Sequence, residues 1–156
     1  VGSYQCRLVE MTGGEPLIQE HTPELIRRFI DTGHTVLLET NGSIDIGCVD
    51  PGCIKIVDIK CPGSGESHKN HLSNLKILSP HDQIKFVLTD RADYEFAKKI
   101  TVSNWPTAPP IPVFFSPANH LLNPADLAEW MRNVRSNVRL HIQLHKILWP
   151  IKEKFR

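Results

Sequence analysis

The sequence predicts an α/β fold built on a parallel sheet. Six short apolar segments, rich in β-branched residues, recur along the chain, and segments with helical periodicity alternate with them. The strand segments are nearly continuous apolar runs, which is typical of strands covered by helices. One unit of this kind, without internal repeats, accounts for the whole of residues 1–156 as a single domain.

The strands follow from the apolar runs. They are predicted at Arg7–Met11, Thr35–Glu39, Ile54–Ile59, Gln83–Leu88, Pro112–Phe115 and Val138–Leu144.

The helices follow from caps and spacing. Thr22 is predicted as an N-cap before Pro23, and Gly33 ends that helix. The run Asn123–Asp126 opens another helix in the same way. Weaker helical patterns cover Asn70–Leu78 and Asp90–Thr101.

Composition narrows the class of protein. The 156 residues are 40% hydrophobic and 22% charged, with a formal net charge of +1. This near balance excludes a strongly electrostatic nucleic-acid binder or membrane-surface protein. No apolar run reaches the roughly 20 residues of a membrane span, and no signal peptide opens the sequence. Four cysteines are too few for a disulfide scaffold, so we expect a cytoplasmic protein.

Polar and glycine-rich segments follow most of the predicted strands. Ligands of parallel α/β folds lie beyond the carboxyl ends of strands, so these segments predict one binding rim. They are Met11–Pro16, Glu39–Ser43, Asp58–Gly65, Phe115–Pro117 and Gln143–Lys146.

Each feature also has a plain structural interpretation. Gly13-Gly14 alone is typical of a tight turn, and Asp58 with Lys60 is typical of a surface ion pair. A single histidine such as His145 is typical of a solvated strand end. The spacing of the cysteines does not match a zinc site, so we interpret them as structural and assign no metal ligand in this chain.

Taken together, the motifs resemble a known enzyme family. Thr-Gly-Gly-Glu-Pro at 12–16 resembles the motif with which radical S-adenosylmethionine enzymes hold the amino group of their cofactor. The further motifs resemble 7-carboxy-7-deazaguanine synthases over about residues 6–149: Leu-Glu-Thr-Asn-Gly-Ser at 38–43, Asp-Ile-Lys-Cys-Pro-Gly-Ser-Gly-Glu at 58–66, Ile-Lys-Phe-Val-Leu at 84–88 and Gln-Leu-His-Lys at 143–146.

The resemblance implies a lyase of queuosine and 7-deazapurine biosynthesis, a pathway of tRNA modification. Its substrate would be 6-carboxy-5,6,7,8-tetrahydropterin, converted into 7-carboxy-7-deazaguanine with loss of ammonia. The cofactors would be S-adenosyl-L-methionine, a [4Fe-4S] cluster and Mg²⁺, with flavodoxin or ferredoxin as reductant. The fold would be an incomplete TIM-like barrel that lacks its first strand or strands.

The resemblance also implies roles for individual residues. The expected substrate contacts are Thr12 and His145. The expected cofactor contacts are Gly13, Gly14, Glu15, Asp58, Ile59, Lys60, Ser116 and Pro117.

One feature departs from the family. Three closely spaced cysteines near the amino terminus bind the cluster in this family, and a nearby threonine helps to hold Mg²⁺. None of Cys6, Cys48, Cys53 or Cys61 has that spacing. We therefore expect that this chain lacks its first part and is inactive on its own. The basic tail Pro150–Arg156 receives no substrate role.

Two alternatives remain open at this point. The chain could serve another radical S-adenosylmethionine reaction, such as activation of a glycyl-radical enzyme. It could also be a non-catalytic α/β binding domain that keeps the pocket. If the first part of the fold is missing, an edge strand and an apolar face are left uncovered, which predicts a homodimer.

Overall fold

The computed structural model describes residues 2–132, 137–144 and 148. Within them the chain forms a six-stranded sheet in which every strand is parallel to its neighbour and the spatial order follows the sequence. The first and last strands are not paired with each other, so the sheet is open. This architecture confirms the predicted partial TIM-like barrel.

In the described part of the chain, helices separate only some of the strands, because no α-helix lies between the second, third and fourth strands. The strands are β1 (Leu8–Met11), β2 (Thr35–Thr40), β3 (Ile54–Ile59), β4 (Gln83–Leu88), β5 (Val113–Pro117) and β6 (Val138–Leu140). The helices are α1 (Thr22–Asp31), α2 (Arg91–Asn104) and α3 (Pro124–Met131).

Several strand bounds differ from the prediction. By one residue each, β1 begins later, at Leu8, β2 ends later, at Thr40, and β5 begins later, at Val113. β5 continues through Ser116 and Pro117 because both residues pair with β4, so they lie in a strand and not in the loop after it. The predicted strand Val138–Leu144 ends at Leu140. Its ladder with β5 stops at Phe115, and Pro117 has no N–H to donate to a longer partner.

Two helix predictions are also corrected. The N-cap of α1 is His21, and Thr22 is the first helical residue, whose hydroxyl donates to Pro16 O at 2.7 Å. The segment predicted as a helix at Asn70–Leu78 forms only the short 3₁₀ turn Leu72–Lys76. By contrast, Asn123 caps α3 as expected, because its side chain accepts from Ala125 N–H at 2.9 Å.

The two faces of the sheet differ in character. The helix-covered face carries the alternating strand residues Val36, Leu38, Val57, Ile59, Ile84, Phe86, Leu88, Val113 and Phe115, each at most 1% exposed. Ile26 of α1, Tyr94 of α2 and Leu127 of α3 pack against it. The opposite face, here called the open face, carries the intervening residues Leu37, Glu39, Ile56, Asp58, Lys85, Val87, Phe114 and Ser116.

Candidate functional site

A charged pair lies on the open face, close to the carboxyl ends of the strands. Lys85 Nζ of β4 donates to Glu39 Oε1 of β2 at 2.9 Å, across the intervening strand β3. The hydroxyl of Thr12, just after β1, donates to Glu39 Oε2 at 3.1 Å. Side chains from the carboxyl ends of β1, β2 and β4, which are not all neighbouring strands, therefore meet at one point.

The surroundings of Glu39 and His141 lower the pKa values of both side chains. Burial alone would raise the pKa of Glu39, but the hydrogen bond and charge of Lys85, together with the Thr12 hydroxyl, keep that pKa below its ordinary value. His141 follows β6, and its ring contacts the Phe114 ring edge-on, with the two ring centroids 5.8 Å apart. Desolvation and the charge of Lys85 lower the pKa of His141. Near neutral pH the cluster thus combines a carboxylate anion, an ammonium and a neutral imidazole.

The end of β3 adds a second charged pair. Asp58 and Lys60 share a face, and Lys60 Nζ donates to Asp58 Oδ2 at 2.8 Å. The other carboxylate oxygen, Asp58 Oδ1, is buried and has no hydrogen-bond partner among the described residues. The same is true of Ser116 Oγ on β5, a residue that is fully buried. Buried polar atoms are costly to leave unsatisfied, so these two atoms mark where a polar ligand fits.

The glycine pair lies at the edge of this region. Gly13 and Gly14 have φ values of 99° and 58°, which disfavour residues with a Cβ. No heavy atom lies within 4 Å of the position that a Cβ would take at either residue. The positive φ values therefore explain both glycines, and the space beside their backbone is open to a ligand.

Glu15 is turned toward the chain itself. Its carboxylate accepts from Leu17 N–H at 3.1 Å, from Asn41 N–H at 2.7 Å and from the Thr40 hydroxyl at 2.9 Å, and the residue is 8% exposed. It joins the loop after β1 to the end of β2. Any effect of Glu15 on a ligand passes through the shape of this loop.

Not every residue expected at the site has its side chain there. Ile59 is 0% exposed on the helix-covered face, and Pro117 pairs with Leu88 on that face, so only their backbones border the rim. His145 lies outside the described residues. Glu39 begins a segment predicted to line the rim but had no assigned role, and Lys85 and His141 were not expected at the site. For Glu39 and Lys85, the available signal is a charged residue at an open-face position of an otherwise apolar strand.

The cysteines do not form a ligand set. Cys6 and Cys48 are exposed, whereas Cys53 and Cys61 are buried before and after β3. Burial raises the pKa of Cys53 to about 11 and raises that of Cys61 further. Within 2–132, 137–144 and 148, no three His, Cys, Asp or Glu side chains are grouped to hold a metal ion. These residues therefore do not fit an iron–sulfur cluster.

Two cavities differ in their relation to the rim. One of about 140 Å³ adjoins the end of β3 and is lined by Asn41, Ser43, Lys60, Glu66, Lys69 and Asn70. A larger one of about 520 Å³ lies between α2 and α3, away from the rim. Tyr94 and Thr101, which line the larger cavity, already donate to Trp130 O and Ala97 O.

Comparison with known proteins decides the family. No family model matches the chain. It is 43% identical over 162 residues to the 7-carboxy-7-deazaguanine synthase of Koribacter versatilis, a match that covers 94% of the chain and 71% of that relative. The chain belongs to the 7-carboxy-7-deazaguanine synthase family. The enzyme of that name from Chlorobaculum tepidum is 37% identical, with 94% of the chain and 68% of the relative covered. A third, from Methanospirillum hungatei, is 36% identical, with 93% and 58% covered.

Membership of the 7-carboxy-7-deazaguanine synthase family agrees with the motifs that pointed to it. The Thr-Gly-Gly-Glu-Pro motif at 12–16 directly follows β1, and the motif at 58–66 begins on the open face of β3. In the part of the chain that the structure describes, no helix is long and apolar enough to cross a membrane.

Proposed function

We propose that this chain provides the S-adenosylmethionine and pterin sites of a radical lyase, which converts 6-carboxy-5,6,7,8-tetrahydropterin into 7-carboxy-7-deazaguanine and ammonia. The observation that supports it best is the pair of buried atoms without a partner among the described residues, Asp58 Oδ1 on β3 and Ser116 Oγ on β5, both on the open face. Family membership supports the substrate. The atoms of the pterin equal those of the product plus ammonia, so the conversion needs no net oxidant.

The rim fits S-adenosylmethionine in three places. The backbone at Gly13 and Gly14 is open to the methionine end of the cofactor. Asp58 Oδ1 can accept from ribose hydroxyls, and Ser116 Oγ can donate to an adenine nitrogen. When bound and reduced, this cofactor supplies a 5′-deoxyadenosyl radical that abstracts a substrate hydrogen. The described residues do not fit the cluster that would reduce it, so we derive no step through a cluster or Mg²⁺.

The Glu39 cluster suits the pterin. The aminopyrimidinone ring of a pterin presents adjacent N–H donors, and the Glu39 carboxylate retains lone pairs beyond its bonds to Lys85 and Thr12. Its low pKa keeps it an acceptor at neutral pH. Lys85 and the neutral imidazole of His141 supply donors for ring oxygen and for the carboxylate of the substrate. His145 is proposed to join this substrate site together with Thr12.

The remaining parts of the proposal concern partners. Flavodoxin or ferredoxin would be the reductant, and the exposed strand β1, where Leu8 is 55% exposed, supports a homodimer formed at the sheet edge. We propose a cytoplasmic location, where such reductants are found.

The test separates binding from turnover. We expect the chain to bind S-adenosylmethionine and 6-carboxytetrahydropterin in calorimetric titrations, and to bind tetrahydrobiopterin, which lacks the carboxylate, at least tenfold more weakly. The protein expressed from its gene, after anaerobic iron–sulfur reconstitution and with dithionite, should form 7-carboxy-7-deazaguanine, identified by mass spectrometry. A chain that binds neither ligand contradicts the proposal. Binding of S-adenosylmethionine without any affinity for the pterin favours another radical enzyme or a non-catalytic binding domain.

A further inference from the structure

The segment that follows β3 is held by residues far along the chain. This segment, Lys60–Gly65, is here called the cofactor loop. The side chain of Asn70 makes hydrogen bonds to both backbone groups of Lys60, the first residue of the loop. Lys60 N–H donates to Asn70 Oδ1 at 2.9 Å, and Asn70 Nδ2 donates to Lys60 O at 2.8 Å. The Lys60 backbone is thus fixed in the position from which its ammonium reaches Asp58.

Asp93, in the first turn of α2, holds the middle of the cofactor loop. Its Oδ1 accepts from Gly63 N–H at 2.8 Å. Its Oδ2 accepts from Thr89 N–H at 2.9 Å and from the Thr89 hydroxyl at 2.7 Å. Asp93 is 1% exposed. One buried carboxylate therefore joins the loop after β3, the end of β4 and the start of α2.

The fit between the cofactor loop and Asp93 is close. A Cβ at Gly63 would overlap Thr89 Oγ1 and lie 2.6 Å from Asp93 Oδ2. Only glycine permits this approach of the loop backbone to the carboxylate. Cys61, which belongs to this loop, is only 1% exposed. The accessibility of this thiol therefore reports whether the loop is in place.

We propose that Asp93 is a positioning residue, which acts through Gly63 to hold the cofactor loop in the shape that S-adenosylmethionine requires. The proposal rests on the proposed function of the rim. Asp93 faces the loop backbone and α2, so its effect is to fix the loop before the ligand arrives. A loop that is already ordered loses no conformational entropy when the ligand binds. The affinity for the ligand is therefore higher than that of a flexible loop.

The chain offers a matched control at the other end of the same strands. Asp82, before β4, is 0% exposed, and it accepts from Lys55 N–H at 2.7 Å, from Ser79 N–H at 2.8 Å and from the Ser79 hydroxyl at 2.7 Å. It is as buried as Asp93 and likewise accepts from two backbone N–H groups and one hydroxyl, and its Oδ1 also lies 3.4 Å from Lys55 Nζ. Asp82 lies at the amino ends of the strands, away from the rim.

Asp93→Asn is the informative substitution. An amide can keep both bonds from Thr89 on its oxygen, but its NH₂ group then faces Gly63 N–H, and two donors meet. We expect the dissociation constant for S-adenosylmethionine to rise about tenfold in calorimetry. Iodoacetamide should label Cys61 at a rate at least tenfold above wild type, as mass spectrometry of digests would show. Labelling of Cys53, which is buried at the amino end of β3, should stay slow.

Two further variants complete the design. Gly63→Ala disturbs the loop without changing Asp93 and should reproduce both effects. Asp82→Asn should lower the melting temperature but leave the affinity for S-adenosylmethionine within twofold of wild type. A wild-type chain without affinity for S-adenosylmethionine overturns both the proposed function and this inference. Wild-type affinity that is unchanged in Asp93→Asn and Gly63→Ala, or lowered equally by Asp82→Asn, overturns the positioning role alone.

Discussion

Each end of β3 carries a Lys–Asp ion pair, but the two pairs differ in burial and in how fully their carboxylates are hydrogen-bonded. At the amino end, Lys55 Nζ lies 3.4 Å from Asp82 Oδ1, and the side chains are 6% and 0% exposed. At the carboxyl end, Lys60 Nζ lies 2.8 Å from Asp58 Oδ2, and the side chains are 33% and 16% exposed. Both oxygens of Asp82 are bonded within the chain, whereas Asp58 Oδ1 has no partner among the described residues.

This difference separates a structural pair from a binding pair. An ion pair can be buried at low cost when hydrogen bonds satisfy its remaining lone pairs. The lone pairs of Asp82 are satisfied by Ser79 and by the backbone of Lys55. At the carboxyl end the chain leaves part of the hydrogen-bonding capacity of Asp58 unused. The amino end of β3 should therefore govern stability, and the carboxyl end should govern affinity.

The largest expected effect is on stability at the amino end. Asp82→Ala leaves the buried Lys55 ammonium and three former donors without their acceptor, so we expect the free energy of unfolding to fall by about 3–5 kcal/mol. Urea denaturation measures this. The double variant Lys55→Met, Asp82→Ala should lose less than the single variant, because no uncompensated charge remains. A loss below about 1 kcal/mol in Asp82→Ala would contradict the structural role.

A smaller effect is expected at Glu15, which is buried beside the rim. Glu15→Gln replaces an acceptor with a donor opposite Leu17, Thr40 or Asn41, which should lower the free energy of unfolding by about 1–3 kcal/mol. Glu24→Gln on the exposed surface of α1 is the control and should change stability by at most about 0.5 kcal/mol. Equal effects of the two substitutions in urea denaturation would show that the bonds of Glu15 add no stability.

The strand period predicted much of this arrangement. The bounds of β3 and β4 follow directly from their apolar runs, and the period of two places Asp58 and Lys60 on one face. The same period puts Ile59 on the opposite face, so its assignment to the cofactor came from the motif alone. The ends of β5 depended on pairing with β4, which no local pattern reveals.

The Glu39 cluster shows what the sequence could not supply. Glu39 and Lys85 are 46 residues apart and lie on strands that are not neighbours, so their contact depends on the order and register of the assembled strands. Asp93 likewise reaches back 30 residues to Gly63. Motifs identify residue types at strand ends, whereas long-range hydrogen bonds arise only when the whole sheet is assembled.

The smallest of the stability effects should appear as a pH dependence. Because the folded pKa of Glu39 is below its ordinary value, the unfolded chain binds the proton more readily. The contribution of Glu39 to stability is thus full above its unfolded pKa of about 4.3, and it is lost as the pH falls through the folded pKa. The melting temperature of wild type should exceed that of Glu39→Gln near pH 7, and this difference should shrink below about pH 4. A difference that stays constant down to pH 3 would contradict the ion pair with Lys85.

The affinity of Asp58→Asn for S-adenosylmethionine tests most directly whether the carboxyl end of β3 binds the cofactor. The substitution preserves size but removes the charge and one acceptor at the open end of β3. We predict that calorimetry gives a dissociation constant about tenfold or more above wild type, as expected for a lost hydrogen bond to a charged group, while urea denaturation shows a change of less than about 1 kcal/mol. A dissociation constant within twofold of wild type would contradict the assignment of this end of β3 to the cofactor.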